Sequence, residues 1–348
     1  MSTTRSSASP GASHEPGSPS QPAQAPSPKI ELHVHLEGAV RPKDLLEIAT
    51  RNGVDLPADN EADLECLYEF RDFDHFIELW VMTTSAIRTE RDFRHVVVSY
   101  AIQAASHGAV YIEGIFTPAE RVSGGASWDE VFSGFCDGAA EAKETLGLEV
   151  RLTPDIPRTF GLEVATETAR YAVKYRDRGV VGLGLGGPEV GFPPEPFERA
   201  FRLAKDGGIG SVPHAGEVAG AASVRGAIDV LGADRIRHGI RSLEDPSVIE
   251  DLVDRQIVCD VCPVSNLRTG AVKDEVDHPL TAMLDAGVLC SISTDDPAMF
   301  DTDLTREYEL AESLGCSPQQ AFSAGIRGAL CDDATRSNLE AIGDSFRW

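Results

Sequence analysis

Eight short apolar stretches rich in Val, Ile and Leu recur along the chain, and they constrain its fold more than any other feature. They are IELHVHLEG (30–38), AVYIEGIF (109–116), LEVRLTPDI (148–156), VVGLGLGG (180–187), GSVPHAGE (210–217), RIRHGI (235–240), IVCDVCPVSN (257–266) and VLCSISTDD (288–296). Near-continuous apolar runs of this length suit parallel strands buried on both faces. Segments with helical period lie between them. In FERAFRLAKDGG (197–208), Phe197, Ala200, Phe201 and Ala204 share one face before a glycine pair. ASVRGAIDVLG (222–232) and HPLTAMLDAG (278–287) also end in Gly, and SVIEDLVDRQ (247–256) follows an Asp245 cap and Pro246. Eight strands alternating with helices predict an α/β fold of the (β/α)8 TIM barrel type. A doubly wound open sheet is the competing architecture. It usually carries a Gly-rich phosphate loop after its first strand, and HVHLEGAV is not one.

The first two runs are separated by residues 42–108, more than one crossover helix needs. Within this insertion Phe70, Phe73, Phe76, Ile77, Trp80, Val81 and Thr84 recur at helical spacing. Most of them are expected to pack against the barrel. A minority is expected to cover its mouth, because a segment that follows strand one begins at the catalytic face. Patterns at 304–314, 318–330 and 333–342 predict extra C-terminal helices. Residues 1–29 are rich in Ser, Pro, Ala and Gly and lack the apolar block of a signal peptide. They are read as a disordered tail before a single domain, 30–348.

A formal net charge of -25 disfavours nucleic acid and anionic membrane as partners. No run approaches membrane-spanning length. Seven cysteines without a dense framework fit a reducing, cytoplasmic setting. Cys259 and Cys262 form a C-x-x-C, but the second pair that a zinc ribbon needs is missing, so both read as buried strand residues. The expected partner is a small molecule, and a homo-oligomer is left open.

Polar residues gather at the C-terminal ends of the runs: His33, His35 and Glu37; His214 and Glu217; His238; Asp295 and Asp296. In a barrel these ends meet at one mouth. Each has a plain reading by itself. His214 and His238 can be core histidines, Glu217 a helix-start charge and Asp295–Asp296 a cap before Pro297. His33 and His35, however, leave one side of their strand, with Glu37 next on that side. Burying two unpaired imidazoles is costly. Their joint placement with the other strand ends points to a divalent cation. Three histidines and an aspartate suit zinc, with iron, cobalt or manganese as alternatives. Run four offers no Lys to bridge two ions, which favours one metal per chain.

The segments ELHVHLEG, HAGE, RHGI, CPVSN and STDDP resemble, in order, signature segments of the adenosine and adenine deaminases of the amidohydrolase superfamily. The resemblance runs from about Lys29 to the end of the chain. It implies zinc-dependent hydrolytic deamination at C6 of a 6-aminopurine, with Zn2+ held by His33, His35, His214 and Asp295. It further implies that Glu217 protonates N1, that His238 orients and deprotonates the attacking water, and that Asp296 contacts the substrate near N7. Gly187 would offer its backbone N–H to N3, and His35 and Glu37 would also meet the substrate. The other zinc-deaminase signature, H-x-E with P-C-x-x-C, is absent.

Departures from the family pattern bear on the substrate. Glu37 stands where Asp is usual. Gly184, Gly186, Gly187 and Pro188 replace acidic or Ser residues, and Gly114 stands where Arg is frequent. These changes predict a roomier pocket, suited to a nucleoside with a larger 5′ substituent. The pattern is similar to the aminodeoxyfutalosine deaminases of menaquinone biosynthesis, whose substrate, 6-amino-6-deoxyfutalosine, bears a benzoate arm. A carboxylate there calls for an Arg, and Arg158 and Arg88 are candidates, each also readable as a surface Arg. Adenosine or 2′-deoxyadenosine is the alternative substrate. A barrel amidohydrolase acting on a cyclic amide or ester is a further class, disfavoured by Glu217 and the missing bridging Lys. A catalytically silent binding protein is disfavoured because every expected position is filled.

Overall fold

The computed structural model describes residues 26–348. Residues 1–25, most of the expected tail, lie outside the described residues. Nine strand segments follow in order: β1 (Lys29–His35), β2 (Ala109–Phe116), β3 (Glu149–Pro157), β4 (Gly182–Gly186), β5 (Gly210–Ser211), β6 (His214–Ala215), β7 (Arg235–His238), β8 (Val258–Val261) and β9 (Cys290–Ile292). β1 to β5 pair consecutively, as do β6 to β9, and every pairing is parallel.

Two seams join these sheets into the (β/α)8 barrel. β5 and β6 occupy one strand position, parted by Val212 and Pro213. Pro213 has no N–H for the ladder, yet its carbonyl accepts from Arg237 N at 3.0 Å, and Val212 N donates to Leu183 O at 2.9 Å. At the other seam Val34 bridges Asp295 in parallel. There His35 N donates to Asp295 O at 2.7 Å and Asp295 N to His33 O at 3.0 Å.

β1 begins at Lys29, inside the expected tail, tied by Lys29 N donating to Gly108 O at 2.8 Å. Runs five and eight outlast their strands: 216–217 form a bend, and 293–294 are irregular before Asp295 bridges β1. The helix after β7 is Pro246–Asp254, capped by Asp245, which accepts from Ser247 N. The C-terminal helices Leu304–Ser313, Pro318–Gly328 and Asp333–Ser345 follow β9. From them Phe322 and Leu339 pack with Ile30, Leu32 and Tyr111 in a small core of their own.

The insertion forms four helices, Pro42–Asn52, Glu61–Leu67, Phe73–Thr84 and Glu90–Ser106. The last starts with a capping box between Thr89 and Asp92. Phe70, just before the third helix, meets Phe76 and Phe300 edge-on at centroid distances of 5.3 and 5.8 Å. This aromatic cluster seats the third helix over the residues that follow β9.

Two arginines are fully buried in the barrel. Arg235 binds Asp260 and Glu113 (2.7 Å to Glu113), and Arg237 binds Asp155 and Thr153 (2.7 Å to Thr153). Cys259 and Cys262 are buried and free. Among the described residues no helix is long and apolar enough to cross a membrane.

Candidate active site

β1 carries His33 and His35, β6 carries His214, β7 ends on His238, and Asp295 follows β9. The barrel brings these ends together. His33 Nε2 lies 3.1 Å and His35 Nε2 3.3 Å from Asp295 Oδ1, and His35 Nε2 lies 3.2 Å from His214 Nε2. Donor atoms placed about 2.0–2.1 Å from a tetrahedral zinc stand roughly 3.3 Å apart. His33 Nε2 and His35 Nδ1 are buried without a hydrogen-bond partner. Converging ring nitrogens repel unless protons or a cation lie between them, so this donor set fits a divalent cation. His238 belongs to the same neighbourhood: donor atoms of His33, His214, His238 and Asp295 all lie within 4.8 Å of one another.

The surrounding residues orient these donors. His214 Nδ1 faces Leu185 O at 3.1 Å and Asp155 Oδ2 at 3.3 Å, which places its proton there and leaves Nε2 free to ligate. Burial works against the Asp155 charge, but Arg237 and His214 outweigh it and hold the carboxyl well below the usual range. Ser265 Oγ donates to Asp295 Oδ2 at 2.6 Å. Both Asp295 (φ 66°) and His238 (φ 63°) have left-handed backbones, a strain of about 1–3 kcal/mol each that the surrounding structure must hold.

Glu217 and His238 face each other beside this cluster. Glu217 Oε2 is 3.6 Å from His238 Nε2, which is 3.9 Å from Asp295 Oδ2. The amide of Asn266 engages His238 Nδ1 at 3.2 Å and so fixes which ring nitrogen faces Glu217. Burial, with the charges of Asp295, Glu189 and Asp296, pushes Glu217 well above the carboxylate range. This shift favours its neutral, acid form. Burial lowers His238 to about 3 against the pull of Asp295, so its imidazole is neutral. Asp296 Oδ1 accepts from the Trp80 indole N–H at 2.7 Å. A Cβ at Gly38 would overlap that oxygen, which explains the glycine.

A family model described as adenosine deaminase matches residues 28–342. The chain belongs to the adenosine deaminase family. It is similar to the aminodeoxyfutalosine deaminase of Acidothermus cellulolyticus, 50% identical over 328 residues and 92% of each chain. Among solved structures it is similar to the adenine deaminase of Arthrobacter aurescens, with a TM-score of 0.87 and 32% identity over 91% of this chain and 98% of that one. It is also similar to an amidohydrolase of Burkholderia ambifaria with bound zinc, with a TM-score of 0.83 and 27% identity over 91% of this chain and 90% of that one. As a member of the adenosine deaminase family, it is a hydrolytic deaminase.

The deaminase cavity measures about 450 Å³. Its floor carries His35, His214, Glu217, His238, Asp295 and Asp296, and Gly187 (φ 86°) lies on one wall. Phe73, Phe76, Ile77, Trp80 and Val81 of the third insertion helix form another wall, with Arg88 beyond them. Two substrate expectations, Glu37 and Arg158, are placed differently. β1 ends at His35, so its alternation does not carry on to Glu37. Glu37 lies off the cavity lining, and its Oε1 accepts from Thr117 N at 2.9 Å. Arg158 is buried and turned away, donating to Phe192 O and His214 O at 2.6 Å each.

The glycines differ in what they leave open. The Cβ sites of Gly184 and Gly186 are filled by the Asp155 carboxylate, and that of Gly114 by Leu36. Gly187 lines the cavity, and a Cβ there would meet only Arg158 N, at 3.8 Å. Sequence reading left Asp155 without a role, although it sits near the C-terminal end of run three, where the rule used for the other runs applies equally. Ser265 and Asn266, inside CPVSN, contact Asp295 and His238, a placement that no local pattern signals.

Proposed function

We propose that the chain hydrolyses the C6 amine of a 6-aminopurine nucleoside extended at C5′, releasing ammonia, with 6-amino-6-deoxyfutalosine as the leading substrate. The observation that carries the deamination is Glu217, its pKa raised by burial, facing the neutral His238 at 3.6 Å beside the converging donors of His33, His35, His214 and Asp295. His33, His35, His214 and Asp295 would hold one zinc ion, whose Lewis acidity makes water nucleophilic at neutral pH. Glu217 donates its proton to ring N1, which makes C6 electrophilic, and regains one from the C6 hydroxyl as the carbonyl forms. His238 accepts the other proton of the attacking water and passes it to the departing ammonia. Asp296, one oxygen held by Trp80, offers the other near N7. Gly187 N–H meets N3. Glu37 acts through the Thr117 segment that it caps rather than on the sugar.

The extended arm is supported by the cavity's outer half. Phe73, Ile77, Val81 and Phe160 make it apolar, and Arg88 stands at its edge. Arg88 Nε donates to Ser85 O at 2.9 Å, and its terminal nitrogens have no partner among the described residues. An apolar arm ending in a carboxylate matches that sequence of contacts. Arg158, already engaged, leaves Arg88 as the candidate.

The test measures ammonia release from adenine, adenosine, 2′-deoxyadenosine, 5′-methylthioadenosine, S-adenosylhomocysteine and 6-amino-6-deoxyfutalosine. The last should show the highest kcat/KM, and Arg88→Ala should raise its KM about tenfold or more, as expected for losing a charge-assisted contact, while leaving adenosine unaffected. Equal turnover of adenosine would reduce the reading to a plain adenosine deaminase. Preference for free adenine would overturn the extended arm.

A further inference from the structure

One buried carboxylate from another strand end holds the loop that carries Glu217. Glu189, two residues beyond Gly187, is 4% exposed. Its Oε1 accepts from Gly216 N and Ser223 Oγ, each at 2.7 Å. Its Oε2 accepts from Glu217 N at 3.0 Å, Val218 N at 2.8 Å and Ala219 N at 2.9 Å. Five donors thus converge on two oxygens. The four backbone donors lie where β6 has ended at Ala215 and the next helix has not begun until Ala221. No ladder serves them, and buried amides need partners.

We propose that Glu189 is a positioning residue for the acid of this enzyme: it fixes the main chain of residues 216–219 so that the Glu217 carboxyl faces His238 across the cavity. The proposal rests on the reading of Glu217 as the proton carrier. Arg158 belongs to the same device. Its two carbonyl contacts, Phe192 O and His214 O, bracket the segments from which Glu189 and Glu217 arise. Hydrogen bonds from Ala219 and Ser223, with the charge of Arg158, overcome the burial of Glu189 and keep it ionised. A neutral acceptor could satisfy some of these N–H groups, but a glutamine has one oxygen. Its NH2 would face backbone N–H groups, leaving at least Gly216 N without an acceptor.

The experiment compares zinc-loaded wild type, Glu189→Gln, Glu217→Gln and the double variant, with kcat and KM measured on whichever nucleoside of the panel above is turned over fastest. Glu189→Gln should lower kcat about 30- to 100-fold with KM changed less than about threefold, since an acid–base contribution is being spoiled rather than binding. Bound zinc per chain should be unchanged. The double variant should be no more than about threefold slower than Glu217→Gln, because both changes remove one function. Wild-type kcat in Glu189→Gln, or a loss that multiplies in the double variant, overturns the positioning role. Wild-type kcat in Glu217→Gln instead overturns the acid assignment on which it rests. If Glu189→Gln does not fold, Ser223→Ala decides: a kcat loss of about threefold that vanishes in the Glu217→Gln background supports the role, and no loss overturns it.

Discussion

Two groups of buried charge share this barrel, and they differ in whether they are complete. In the interior, Arg235 is matched by Glu113 and Asp260, and Arg237 by Asp155. At the mouth, Glu217, Asp295 and Asp296 face four histidines, and among the described residues no Lys or Arg pairs with them. There, His33 Nε2 and His35 Nδ1 have no hydrogen-bond partner, and burial, with the charges of Asp295, Glu189 and Asp296, raises the pKa of Glu217. The interior group serves the fold. The mouth group is finished only by what binds to it. Asp155 belongs to both, with Oδ1 on Arg237 and Oδ2 towards His214.

The comparison breaks most sharply if the two groups are cut separately. Arg235→Met leaves two buried carboxylates unmatched and should cost about 3–5 kcal/mol of stability in a denaturant titration. Glu217→Gln should lower kcat about 1000-fold without lowering the unfolding midpoint. If Arg235→Met kept full stability, or Glu217→Gln unfolded the protein, the division of labour would be wrong. Stripping metal with a chelator should cost about 2–4 kcal/mol of apparent stability relative to zinc-saturated protein, read by calorimetry and restored by zinc. Identical midpoints with and without zinc would contradict the mouth as a metal centre.

Gly184→Ala tests the shared residue, because the new methyl overlaps Asp155 at its contact with Arg237. It should cost about 1–3 kcal/mol as an overpacking change and weaken zinc binding about 10- to 100-fold in chelator competition, as lost support of a ligand histidine does. Unchanged affinity would separate Asp155 from the metal. The smallest effect belongs to His278, a buried histidine outside both groups. Burial lowers its pKa to about 4, and its Nδ1 accepts from Leu280 N at 3.1 Å. The unfolded chain therefore binds more protons between pH 4 and 6.5, so this contribution is whole above that window and is lost as pH falls through it. Stability should drop by about 1 kcal/mol between pH 7 and 5.5 on this account. His278→Gln should flatten that slope.

The barrel and the cluster of polar residues at its mouth were legible because both follow from strand ends: apolar runs mark the strands, and ligand-type residues stop them. His33, His35, His214, His238 and Asp295 all obey that rule. What escaped was direction and occupancy. Arg158 in PDIPRTFG reads as a basic residue near the mouth, but nothing local shows that its guanidinium turns to two carbonyls. Gly184 and Gly186 display missing volume, and only packing shows that Asp155 of the neighbouring strand fills it. Glu189 looks like a turn acid because its backbone partners lie 27 to 30 residues away. Glu37 was misplaced because period-two reasoning was carried past the end of β1.

The seam at Val34 and Asp295 has a consequence for how the protein is made. The hydrogen bonds that close the barrel there involve the backbones of His33, His35 and Asp295, which also supply three of the four metal-type donors. At a translation rate of about 5–20 residues per second, the roughly 260 residues between His35 and Asp295 keep the first pair waiting on the order of tens of seconds for its last companion. A nascent chain therefore cannot complete the donor set or close the barrel at this seam before residue 295 is made. A chain released before residue 295 has neither.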